Sequence, residues 1–105
     1  MALQIRYGFL TGNLFDGWTT EDLAGIDPAA SVRRYADLCE AAIHKAFPDA
    51  EVEIAYQHAT GIVPANIHTQ VINPGQTDEE QGEREATVDL IGSDVYEAQE
   101  WIVSA

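Results

Sequence analysis

Two runs of alternating residues, 3–9 and 51–58, bracket a helical pattern that starts at Asp27-Pro28 and stops before Pro48. This strand-helix-strand order restricts the fold more than any other feature. Leu3, Ile5, Tyr7 and Phe9 share one side of the first run while Gln4, Arg6 and Gly8 share the other, the period of a half-buried strand. The second run repeats the pattern, with Val52, Ile54, Tyr56 and His58 against Glu51, Glu53, Ala55 and Gln57. Between them Asp27 is placed to cap, Pro28 fits the first helical position, and Val32, Tyr35, Ala36, Cys39, Ile43, Ala46 and Phe47 recur at helical spacing. His44 and Lys45 fall in the last turn, where positive charge suits the exposed carbonyls. Parallel strands joined by such a crossover would lay the helix on the apolar face and leave Gln4, Arg6, Glu51, Glu53 and Gln57 on the other.

The rest of the chain is less periodic. Residues 11–27 form a long connection around Leu14, Phe15, Trp18 and Leu23, with one short helical turn expected after Thr20. Residues 59–66 read as the turn of a hairpin that joins 51–58 to a third strand at 67–72, ending before Asn73-Pro74-Gly75. Residues 76–83 carry four acids and no apolar side chain, and read as a solvated tip. The alternation of Ala86, Val88 and Leu90 favours a fourth strand, with a helix from Thr77, capped by Glu80, as the competing reading. Beyond Gly92, Asp94 and Glu97 make a capping box for a terminal helix anchored by Trp101. The expected fold is α+β: one domain over 1–105, ordered β-α-β-β-β-α, with a mostly antiparallel four-stranded sheet and two helices packed on one face.

Charge is what points toward function. Eighteen acids against five bases give a formal net charge of −13, and residues 78–105 hold nine of those acids with one base. Such a surface repels nucleic-acid phosphates and anionic membranes, so direct nucleic-acid or membrane binding is not expected and a steered partner should be basic. The leading expectation is a small acidic, non-catalytic, inhibitor-type protein that docks on a basic protein, in its narrower form as a nucleic-acid mimic. Its contacts are expected at Asp78, Glu79, Glu80, Glu83, Glu85, Glu97 and Glu100, with Phe15 and Trp18 as aromatic anchors. A solubilising surface explains the same charge without a partner.

Enzyme chemistry finds little support. Gly8, Gly12 and Gly17 do not have dinucleotide-binding spacing, no G-x-S-x-G occurs, and Cys39 falls on the inward helix face. His58 and His68 would face each other across the hairpin, but no third ligand stands in register, so neither a metal nor a cofactor is expected. The alternative is a small-ligand site or small enzyme in the crevice under residues 11–27, lined by Asp16, Trp18, Tyr56 and His58. Pairing of sheet faces or edges would make a homo-oligomer. The first residues lack a basic region followed by an apolar core, and no run is long enough to span a membrane, so a cytoplasmic location is expected.

Overall fold

A computed structural model describes residues 3–105. The class is α+β, but the sheet has three strands rather than four and is mixed. The strands are β1 (Gln4–Leu10), β2 (Glu51–Gln57) and β3 (Gln70–Ile72), and the helices are α1 (Thr20–Ala24), α2 (Pro28–Ala46) and α3 (Asp78–Ala98). β1 is central, parallel to β2 on one side and antiparallel to β3 on the other.

The strand-helix-strand unit forms as its pattern dictates. Ile5, Tyr7 and Phe9 are buried beneath α2, whose buried Val32, Tyr35, Cys39 and Ile43 recur every three or four positions, with Ser31 buried beside them. Asp27 Oδ1 accepts from the Ala30 N–H at 3.0 Å, and the Phe47 N–H closes the helix on the Ile43 carbonyl. Burial costs the Cys39 thiol its acidity, pushing it up to about 11, so this cysteine packs rather than reacts.

The third strand departs from the expected hairpin. Residues 59–67 do not turn β2 back on itself. They cross beneath the polar face of β1 and deliver β3 to its far edge. Gly8 permits the crossing, since a side-chain carbon there would lie 1.5 Å from the Ile67 carbonyl oxygen. Asn13 fastens the crossing segment by donating to the Gly61 carbonyl (2.9 Å) and accepting its N–H (3.0 Å). This separates the two histidines: His58 Nδ1 meets the Thr11 hydroxyl at 3.0 Å, and His68 Nδ1 meets the Arg6 guanidinium at 3.4 Å.

The second correction concerns residues 76–98. The tip, the fourth strand and the separate terminal helix are one continuous helix, α3, opened by the competing Thr77–Glu80 capping box, in which each side chain bonds the other's backbone N–H. The strand-like alternation was accidental. Val88 is fully buried, whereas Leu90 is 62% exposed. Asp94 lies within this helix and caps nothing.

α2 and α3 pack against each other over the apolar face of the sheet, where the Tyr7 hydroxyl meets Tyr35 and Tyr35 meets the Gly92 carbonyl. The short α1, opened by a Thr19–Asp22 capping box, lies within the 11–27 connection. Beyond α3 the chain returns along residues 25–27: the Asp27 N–H donates to the Val103 carbonyl (2.8 Å), and the Val103 N–H donates to the buried Ser31 hydroxyl (2.9 Å). Among the described residues no helix is long and apolar enough to cross a membrane.

Candidate functional site

The acids of α3 divide by helix face. Three face inward or toward the cap and have structural work. Glu80 holds the Thr77 N–H and pairs with Arg84 at 3.4 Å, and the Thr77 bonds keep its carboxyl below the usual carboxylate range. Glu85 accepts the Val71 N–H at 3.0 Å and so holds β3. Asp89 accepts the Thr69 hydroxyl at 2.6 Å.

The others point to solvent. At 100° per residue, Glu79, Glu83, Leu90, Asp94 and Glu97 fall within about 60° of one another along a helix about 30 Å long. All five are exposed. Asp78 flanks this stripe at its start, where acids suit the helix dipole, and exposed Glu100 follows its end, its main-chain carbonyl held by Arg34 Nε at 2.6 Å. Asp94 and Glu97 sit where the dipole disfavours them, and no basic residue occupies that last turn. Glu80–Arg84 is the one ion pair among the described residues, so the stripe is not neutralised. Of the residues expected to bind, Asp78, Glu79, Glu83, Glu97 and Glu100 are therefore free, while Glu80 and Glu85 are engaged. Leu90 and Asp94, about three and four helical turns beyond Glu79, join the same stripe because the helix is continuous.

Phe15 and Trp18 lie elsewhere. Their rings meet edge to face at 5.5 Å, and Phe15 meets the buried Trp101 at 5.8 Å, which pins the 11–27 connection to the core. Both are half-buried.

Two clefts open beside the sheet. One, of about 430 Å³, lies at the uncovered polar end, lined by Gln4, Arg6, Glu51, Glu53 and Gln70 among others. The second, of about 370 Å³, lies at the carboxyl end of β1, between Asn13 and Leu14 on one side and Ser93 and Tyr96 on the other. Asp16, Trp18, Tyr56 and His58 line neither. Tyr56 and His58 do meet, at 6.0 Å between ring centroids, and Trp18 belongs to the Trp101 cluster.

The floor of the second cleft is an ordered chain of hydroxyls. Tyr35 donates its one proton to the Gly92 carbonyl (3.0 Å), so the 2.8 Å contact between the phenols must be Tyr7 donating to Tyr35. Burial pushes the Tyr7 phenol up to about 12 and drives Tyr35 higher, with Tyr7 beside it adding to the rise. Neither supplies a base near neutral pH. Among the described residues no three His, Cys, Asp or Glu side chains gather as metal ligands. No protein-family model, curated protein or solved structure matches this chain.

Proposed function

We propose that this chain is a non-catalytic, inhibitor-type binding protein that docks a Lys/Arg-rich protein along the outward face of α3. The supporting observation is the division of labour on that helix. Glu80, Glu85 and Asp89 are consumed by caps and strand contacts, whereas Glu79, Glu83, Asp94 and Glu97 have no ion-pair partner among the described residues, and two of them oppose the helix dipole. Leu90, exposed between the two acidic ends, supplies an apolar centre of the kind that protein interfaces desolvate. In the narrower form of this reading the carboxylates stand in for phosphates that the partner's groove would otherwise bind.

The test is a pull-down at low and high salt with the wild type and with a variant carrying Lys at positions 79, 83, 94 and 97. A basic partner recovered at low salt, released at high salt and lost by the variant is the expected result. Recovery of no partner at either salt overturns the docking reading. Competition by duplex DNA for the recovered partner tests the mimic.

A second reading rests on the cleft at the carboxyl end of β1, where the Ser93 hydroxyl and the Tyr96 ring border a largely apolar hollow sized for a small ligand. Ligand-induced thermal stabilisation that is lost in Ser93→Trp, with the fold retained, would favour it.

A further inference from the structure

The two edges of the sheet are finished differently. At β3 the outward backbone belongs to Val71, and it is closed on both sides: Glu85 takes its N–H at 3.0 Å, and the Gln76 side-chain amide donates to its carbonyl at 2.8 Å. Gln81 donates to Glu85 (3.1 Å) and Arg84 to Gln76 (2.7 Å), which fixes both caps. An edge closed in this way cannot template another strand.

β2 has no such closure. The Glu51 N–H donates to the Leu3 carbonyl at 2.7 Å, so by strand alternation Glu51, Glu53, Ala55 and Gln57 turn their backbone toward β1. Val52, Ile54 and Tyr56 then present N–H and C=O outward. Among the described residues no side chain and no segment outside the sheet bonds these groups. The strand contains neither proline nor lysine, the usual devices that blunt an edge.

We propose that β2 is a dimerisation edge that pairs antiparallel with β2 of a second copy about a two-fold axis at Ile54, making one continuous six-stranded sheet. The sequence Glu-Val-Glu-Ile-Ala-Tyr-Gln is self-complementary in that register. Ile54 meets Ile54 and Val52 meets Tyr56, an aromatic with a β-branched partner, and these outward residues exchange the backbone bonds. On the polar face Glu53 meets Ala55 and Glu51 meets Gln57, so the acidic half of each strand lies opposite the neutral half of the other. Pairing centred on Val52 instead sets Glu51 against Glu53 and is disfavoured. A second copy fits this edge because its charge pattern is matched end to end, and Tyr56, 37% exposed, gains cover. α3 packs over β1 and β3, away from this edge, so the inference stands or falls independently of the docking face.

Sedimentation or light scattering on the whole chain at low and high salt tests it. A dimer is expected that tightens with salt, because screening relieves repulsion between two bodies of net charge −13, opposite to the salt response of docking on a basic partner. Gln57→Lys, which faces Glu51 of the second copy twice per dimer, should tighten association by roughly two- to thirtyfold, and Gln57→Glu should weaken it similarly. Ile54→Pro removes an outward N–H without touching the bonds to β1, and should give a folded monomer by circular dichroism. Should that variant unfold, the Gln57 pair decides. A wild-type monomer at both salts overturns the proposal, as does a dimer indifferent to residue 57. So does a monomer whose Val52, Ile54 and Tyr56 amide signals shift on adding an alternating Lys/Val peptide, which would assign the edge to a cationic strand.

Discussion

Each tyrosine hydroxyl at the junction of β1, α2 and α3 has a single proton, and the order of donation makes the two unequal. Tyr7→Phe removes one bond and leaves Tyr35 donating to Gly92, so a loss of about 0.5–1.5 kcal/mol is expected. Tyr35→Phe leaves the buried Tyr7 hydroxyl without its partner and removes the second bond to the Gly92 carbonyl, and should cost more, about 1–3 kcal/mol in urea unfolding. The raised phenol pKa values also set an alkaline limit. Below about pH 10 both states are protonated and the stabilisation is complete; above it the unfolded chain loses protons that the fold retains, so stability falls as pH rises toward 12. The urea midpoint should decline over that window in the wild type and less steeply in Tyr7→Phe. Two glycines of α3 give opposite outcomes. At Gly92 a methyl would lie 2.3 Å from the Tyr7 hydroxyl, so Gly92→Ala should lose about 1–3 kcal/mol to overpacking, only partly offset by about 1 of helix propensity. Nothing lies within 4 Å of the equivalent point at Gly82, and Gly82→Ala should raise stability by about 0.5–1 kcal/mol.

α3 owes its existence to its first turn and its placement to polar side chains. Thr77→Ala should cost about 1 kcal/mol and lower the melting temperature by roughly 4–8 °C. Glu85→Ala should leave that helix formed yet speed hydrogen exchange at the Val71 amide, with the β1–β2 amides unchanged. This polar anchoring is why α3 resisted reading. A helix normally announces itself by an apolar stripe, and α2 does so with Val32, Tyr35, Cys39 and Ile43, which made its limits and those of β1 and β2 legible almost to the residue. The inward face of α3 instead begins with Gln81, Arg84 and Glu85, so its period is written in hydrogen bonds that exist only once β3 is in place. The placement of β3 was hidden for a related reason: the crossing beneath Gly8 depends on a close backbone approach that no local pattern encodes. The acidic bias of the C-terminal quarter was visible from composition. Which acids are free was not, because that follows from the face of α3 that packs.

At the scale of the molecule, with extents of 49 × 25 × 17 Å, α2 and α3 cover one face of the sheet and the segment at 59–67 crosses the other. With a net charge of −13 the folded state repels itself. Raising salt should therefore raise the melting temperature, and the Lys variants at 79, 83, 94 and 97 should show a smaller rise, read by calorimetry across a salt series. The central position of β1 carries a consequence for time. Made before β2 and β3, this strand receives its first neighbour only after residue 57 is made and its second only after residue 72. Its two flanks must each be met by distant chain, so the search is long and the nascent strand stays exposed while it waits. Pulse-labelling during refolding should find the β1–β2 amides protected before those of β3, and truncation before residue 70 should yield an aggregating chain.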